Sequence, residues 1–351
     1  MANGHEVHAA APDLLLHEAV ASTLRSWNVL VHDAPVQRTG TNPWNDLRTL
    51  WSLRSLMRSL SPDLVLTYTA KPVIYGTLAA ALAGIPRRFA LITGLGYAFT
   101  GHARGLRASI KSVLMGLYRV ALGRCTLVFF QNPDDLDLFR QHGLLPERVP
   151  ACVVNGSGID VESFSPAPLP AKGRIDFLLI ARLLGDKGIR EYAAAARTLR
   201  RRYPQVRCRI AGWIDDNPDA IAQSELDEWT ASGDIEYLGR LMDVRPALAD
   251  CHVYVLPSYR EGTPRTVLEA MAMGRPIITT DAPGCRQTVQ SGDNGFLVAV
   301  GSADELVQAM SRFVDDQGLI DRMGQRSRAI AERQFDVDKV NAVMLQQMGL
   351  A

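Results

Sequence analysis

The chain has 351 residues, a length that suits two domains of roughly 150 residues better than one small domain. Hydrophobic residues make up 47% and charged residues 21%, which excludes a disordered chain and leaves enough apolar side chain for real cores. The net charge of +1 hides an imbalance: residues 39–124 hold eleven Lys or Arg against two acids, Asp46 and Asp63, so that stretch is strongly basic.

In chain order, short β-branched runs alternate with helical patterns, the signature of parallel α/β sheets. The first half offers strands at 5–12, 28–36, 63–69, 87–94 and 125–131, with a last one in 149–160. Helical patterns lie between them, at 12–25, 71–85 and 102–124 among others. "FSPAPLPAKGR" (164–174), with three prolines and no periodicity, reads as an interdomain linker. The second half offers strands at 176–184, 205–213, 234–239, 252–257, 276–280 and 295–300, followed by a helix at 335–349. The expected division is therefore an N-terminal domain at 1–163, the linker at 164–174, a C-terminal domain at 175–334 and a C-terminal helix at 335–351.

The start has its own reading. "MANGHEVHAA" reads as a helix end, a Gly4 cap and a strand. A doubly wound domain normally begins with a strand, a Gly-rich turn and a helix ahead of such a segment, so a first strand is expected to be missing; a domain that opens with the 5–12 strand is the alternative. Five cysteines (Cys125, Cys152, Cys208, Cys251, Cys285) lie in or beside apolar segments without C-x-x-C spacing, which points to unpaired thiols in a reducing compartment. The longest uncharged apolar stretch, 73–86, is too short to span a bilayer and no signal peptide is visible, so a cytoplasmic location is expected.

Two segments carry chemistry. In "SYREGTPRTVLEAMAMGRP" (258–276), Thr263 is expected as N-cap and Pro264 as the first helical residue, with Gly274 closing the helix and Pro276 beyond it. Backbone N–H groups near Gly262, Thr263, Pro264 and Arg265 then form an anion site at a helix start. Glu261 hangs at its mouth, and Glu269 lies two turns along the helix. A nucleotide sugar fits this layout: phosphates at the helix start, a ribose diol on Glu269 and a sugar ring on Glu261. In "ARLLGDKGIREY" (181–192), Arg182 and Lys187 flank a Gly-bearing turn at a strand end, placed to bring two cations onto a diphosphate. Alone, each is as well read as a solvated surface charge; together, at carboxyl ends of strands, they mark a ligand site.

With these motifs the chain resembles the retaining glycosyltransferases of family 4, across "GHEVHAAAP", "LITGLGYAFTG", "FFQNPDD", "NGSGIDVESF", "ARLLGDKGIREY", "GRLMDVRPALADCHVYVLPS" and "EGTPRTVLEAMAMGRPIITTDAPGCRQTV". The resemblance implies the GT-B fold, two Rossmann-like doubly wound domains facing a cleft. It also implies transfer with retained configuration from a nucleoside diphosphate sugar, with a UDP-sugar expected. "YTAKPVIYGTLAA" with "TGLGYAFTG" is similar to the subgroup that extends undecaprenyl-diphosphate-linked sugars, such as N-acetylgalactosaminyltransferases acting on diacetylbacillosaminyl-diphospho-undecaprenol.

On that resemblance Arg182 and Lys187 stabilise the departing diphosphate, Glu261 orients the donor sugar, and Glu269 with Gly239 and the 262–265 turn holds the nucleotide. Attack comes on the face the phosphate leaves, with a phosphate oxygen taking the proton, so neither a protein base nor a metal is required. The acidic pairs Asp134-Asp135, Asp215-Asp216 and Asp315-Asp316 read as turns and exposed helix rather than a metal site, and no cofactor is expected. Lys71, Gly94, Gly96 and His102 are the acceptor-side candidates. The basic stretch fits a lipid diphosphate acceptor on an anionic leaflet at the inner face of the plasma membrane, with 102–124 as an interfacial helix; an ordinary packed helix with a basic face is the alternative. No aromatic-rich basic motif supports a nucleic-acid partner. Rival functions are another GT-B enzyme, such as a sugar-nucleotide 2-epimerase or a phosphorylase, and a catalytically silent nucleotide-binding protein.

Overall fold

A computed structural model describes residues 4–36, 43–94, 106–171 and 173–351, and the side chains of all of these except 106–111. They form two compact units, Met1–Val154 with Ala342–Ala351, and Asn155–Asn341. The first unit contains β1 (Val7–Ala11), α1 (Glu18–Ser26), β2 (Val29–Asp33), α2 (Pro43–Leu60), β3 (Leu64–Tyr68), α3 (Thr77–Ala83), β4 (Arg87–Ile92), α4 (Leu106–Leu122), β5 (Leu127–Phe130), α5 (Pro133–Gln141) and β6 (Ala151–Val153). The second contains β7 (Asp176–Ile180), α6 (Ile189–Arg202), β8 (Arg207–Ala211), α7 (Gln223–Ala231), β9 (Glu236–Tyr237), α8 (Arg245–Ala249), β10 (Val253–Leu256), α9 (Arg265–Ala272), β11 (Ile277–Thr280), β12 (Gly295–Val298), α10 (Ala303–Asp315) and α11 (Gly318–Ile330). The last helix, α12 (Val337–Met348), begins in the second unit and ends in the first.

Every strand expected from the sequence is present within a few residues, and all pairings between them are parallel. In the second unit the order is β12-β11-β10-β7-β8-β9, one doubly wound sheet. β7, β10 and β11 are buried along their whole length, as strands covered by helices on both faces must be. In the first unit the described strands make two sheets: β1 pairs only with β2, and β3-β4-β5-β6 form the other. The helix expected at 71–85 opens with one wide turn, Pro72–Gly76, before α3.

The boundary between the units corrects the expected domain division. It falls at Asn155, and the proline-rich 164–171 segment is part of the second unit rather than a linker. Phe164, Ala167 and Leu169 pack against that unit's core. Two arginines hold the segment's carbonyls: buried Arg275 donates to Ala167 O (3.1 Å) and Pro168 O (3.0 Å), and Arg328 to Val161 O and Phe164 O (both 2.9 Å). Proline-rich backbone lacks donors but keeps its acceptors, and guanidinium forks satisfy them.

The five cysteines are free thiols. Burial pushes Cys125, Cys208, Cys251 and Cys285 up to about 12, so at neutral pH they pack as protonated side chains. Among the described side chains of α4, Tyr118 and Leu122 are buried, Leu114 and Leu117 pack beside them, and Val113 and Val120 are exposed. Arg104, Arg107 and Lys111, the basic residues in the first half of the 102–124 segment, lie outside the described side chains. Among the described residues no helix is long and apolar enough to cross a membrane.

Candidate functional site

The strand order of the second unit reverses between β7 and β10, and open α/β sheets bind ligands at the carboxyl ends of strands at such a point. The loops leaving those strands are the two motif segments. Gly188, at φ +71°, lets them touch: a Cβ there would stand 2.2 Å from the carbonyl oxygen of Pro257. The contact is closed by Tyr259 N–H donating to Asp186 O (2.8 Å), with Ser258 Oγ lying 3.1 Å from the same oxygen.

This approach joins residues that are far apart in sequence. Lys187 Nζ lies 2.6 Å from Glu261 Oε1, and Ser258 Oγ donates to that same oxygen at 2.8 Å. Both charged side chains are largely buried, which strengthens their attraction over that of a surface pair. The backbone of Glu261 is fixed as well: its N–H donates to Pro283 O at 3.0 Å, and Gly284 (φ +80°) admits its carbonyl where a Cβ would clash at 2.2 Å. Arg182 takes a different partner, Asp215 Oδ2 at 2.9 Å, and stays half exposed. The two cations expected on one diphosphate therefore sit on separate carboxylates.

α9 starts one residue later than expected. Pro264 is extended (φ −71°, ψ 110°), and its carbonyl accepts the first bonds of the helix, from Val267 N (3.1 Å) and Leu268 N (3.3 Å). Pro264 is therefore the N-cap, not Thr263, whose side chain lies against Gly156. The end of the helix is as expected: Gly274 adopts φ +76°, its N–H donates to Met271 O (3.0 Å), and Arg275 N–H donates to Ala270 O (2.9 Å), a Schellman closure.

Glu269 is buried in α9 and accepts from Arg265 Nε at 3.1 Å. Burial raises its pKa above the ordinary range, and the Arg265 charge partly opposes the rise. If the ionised carboxylate accepts both ribose hydroxyls, donor affinity falls with acid from a pH above the usual glutamate value of about 4.3. UDP titrations between neutral and mildly acidic pH should show that loss in the native chain, and a flat profile in Glu269→Gln. Equal slopes in the two proteins would remove Glu269 from the nucleotide site.

Gly239 takes φ +69°, with open space where a Cβ would be, and its carbonyl accepts from Gly212 N at 2.9 Å. Gly212 is itself obligatory, since a Cβ would lie 1.8 Å from Ala181 O. In the first unit, Lys71 Nζ is ion-paired to Asp46 Oδ1 (2.8 Å), and Tyr75 OH donates to Asp46 Oδ2 (2.8 Å). Gly94 stands past the end of β4 at φ +127°; Gly96 and His102 lie outside the described residues. Among the described residues no three His, Cys, Asp or Glu side chains converge as a metal site would require.

Sequence reasoning missed three groups: Ser258, Asp215 and Asp186. Asp186 has a buried Oδ1 without a hydrogen-bond partner among the described residues, and burial raises its pKa. Its position between Gly185 and Lys187 was the available signal. The sequence marks Asp215 only as half of the Asp215-Asp216 pair.

The comparisons with known proteins agree on one family. Residues 160–330 match the model of the glycosyl transferases group 1, and residues 1–155 that of the glycosyl transferase 4-like domain. The chain is 30% identical over 295 residues to the N,N'-diacetylbacillosaminyl-diphospho-undecaprenol alpha-1,3-N-acetylgalactosaminyltransferase of Campylobacter jejuni, covering 80% of this chain and 76% of that protein. It is 28% identical over 302 residues to the UDP-Gal:alpha-D-GlcNAc-diphosphoundecaprenol alpha-1,3-galactosyltransferase of Escherichia coli, covering 78% of this chain and 72% of that protein. Among solved structures, Anabaena HepE in complex with UDP superposes with a TM-score of 0.77 at 18% identity, over 99% of this chain and all of that one. Sucrose-phosphate synthase from Thermosynechococcus elongatus gives 0.76 at 18% identity, over 98% and 95%.

Proposed function

The chain belongs to the group 1 glycosyltransferases, and we propose that it moves a sugar from a UDP-sugar, with retained configuration, onto a lipid-linked glycan precursor. The observation that carries this reading is the Lys187–Glu261–Ser258 constellation at the sheet's reversal point, with Arg182 at the same strand end. Relatives named for diphospho-undecaprenol acceptors support the acceptor class, and a UDP complex of a protein with this fold supports the donor.

In this proposal the bond between C1 and the phosphate oxygen breaks, and charge grows on both fragments. Arg182 and Lys187 neutralise the departing diphosphate in a partly desolvated crevice, where such charges act strongly. Glu261 positions the sugar hydroxyls, and Glu269 the ribose. The acceptor hydroxyl bonds to C1 on the face the phosphate leaves, and its proton passes to a phosphate oxygen. Metal independence belongs to the same proposal, since two fixed cations meet the charge that a divalent ion meets elsewhere. The acceptor places the enzyme at the inner face of the plasma membrane, in surface glycan synthesis.

The test is a panel of UDP-hexoses and UDP-N-acetylhexosamines offered with an undecaprenyl-diphosphate-linked sugar, products read by mass spectrometry. One donor should give a product heavier by one sugar with its α-anomeric linkage kept, at a rate unchanged by EDTA. Binding of UDP without any transfer would favour a silent nucleotide-binding protein. Loss of transfer on chelation, restored by Mn²⁺, would overturn the metal-free mechanism.

A further inference from the structure

We propose that the outer face of α2 is an interfacial helix that seats the first unit on an anionic bilayer. The helix has two unlike sides. Its inner side buries Thr49, Leu53 and Met57, and the latter two pack with Ala79 and Ala80 of α3. Its outer side, at spacings 3, 1, 3, 4 and 3, presents Trp44, Leu47, Arg48, Trp51, Ser55 and Arg58 to solvent, one stripe about 21 Å long at 1.5 Å per residue.

Large apolar side chains on the solvent side of a docked helix need a reason, because burial elsewhere would remove them from water. Trp44 is 79% exposed, Leu47 43% and Trp51 51%. The stripe mixes these with guanidinium groups and no carboxylate: the helix's one acid, Asp46, is turned inward to Lys71 and Tyr75. Arg54 lies with its guanidinium 5.1 Å from the centre of the Trp51 ring. Tryptophan at the boundary layer beside arginine at the headgroups is the pattern of a surface-lying helix, and its charge complements anionic lipid. A protein partner or a second copy would also cover tryptophan, but Arg48 and Arg58 on a stripe without a carboxylate favour a phosphate-rich surface.

The same helix points this docking at the reaction. Through Asp46 its first turn is bonded to Lys71, the acceptor-side candidate that follows β3. α2 would then present a lipid diphosphate to the enzyme from the membrane side. This step rests on the reading of the acceptor as membrane-borne.

The experiment is flotation of the full chain with vesicles of phosphatidylglycerol and phosphatidylethanolamine, against vesicles of phosphatidylcholine alone. The native protein should bind the anionic vesicles at low salt, and Trp44→Ser/Trp51→Ser should bind at least tenfold more weakly with the same melting temperature. Arg48→Gln/Arg58→Gln should lose the salt-sensitive part, and brominated lipid should quench Trp44 and Trp51 but not Trp229. Equal binding by the tryptophan variant, or equal binding to neutral vesicles, overturns the proposal. So does a concentration-dependent dimer that the tryptophan variant abolishes. Transfer to a water-soluble short-chain acceptor separates the two readings: if it persists while vesicles are ignored, docking fails and the transferase stands. Flotation without any transfer is the reverse result.

Discussion

Replacing Arg182 or Lys187 with alanine should lower kcat/KM for sugar transfer by about 2–4 kcal/mol, a fall of roughly 30- to 800-fold. The two losses should differ in kind. Arg182 is half exposed and shares its charge with Asp215, so Arg182→Ala removes a donor from the diphosphate and leaves behind a carboxylate that water can reach. Lys187 is largely buried against Glu261, so Lys187→Ala also leaves that carboxylate without its ammonium partner in a poorly hydrated place. Lys187→Ala should therefore cost thermal stability as well as rate, whereas Arg182→Ala should cost rate alone. Lys187→Arg is the control: it keeps the charge but not the compact ammonium, and should recover stability before it recovers turnover. Transfer within threefold of native in either alanine variant would dismiss that residue from the leaving-group site.

How much of this could be read from sequence depended on range. The central strands were legible because a covered parallel strand has to be apolar on both faces, and "LVFF" and "VYVL" are buried throughout. The Gly274 end of α9 was legible because the closure needs a residue that tolerates positive φ, and glycine stands there. The unit boundary was not, since the segment at 164–171 is claimed by Arg275 and Arg328, more than a hundred residues away. No local pattern announces which guanidinium will take a proline-rich carbonyl.

The site divided along the same line. Each motif was visible as residue types at a strand end, but the way they pair was not. Lys187 and Glu261 meet across 74 positions because β7 and β10 are neighbours in the sheet and Gly188 allows their loops to touch. Arg182 meets Asp215 because β8 flanks β7 on its other side, so its loop delivers a carboxylate to the same end. Both ion pairs follow from strand order, which sequence spacing does not contain.

Glu261→Gln should lower kcat by about 10- to 100-fold while leaving the Kd for UDP unchanged or tighter. The sign follows from the pairing. The Glu261 carboxylate accepts from both Lys187 and Ser258, so it would compete with a diphosphate for the lysine. Glutamine keeps the shape and one acceptor oxygen but not the charge. Lys187 then has a weaker resident partner, and the diphosphate meets less competition. Under the proposed mechanism, what is lost is the carboxylate that would orient the sugar hydroxyls, an interaction that counts most as C1 flattens toward the transition state. Glu269→Gln should behave oppositely, weakening UDP with a smaller change in kcat, because ribose contacts are alike in ground and transition states. Calorimetric titration of UDP and initial rates of transfer on both variants decide the matter. A tenfold weaker Kd with native kcat in Glu261→Gln would mean that Glu261 holds the nucleotide rather than the reacting sugar.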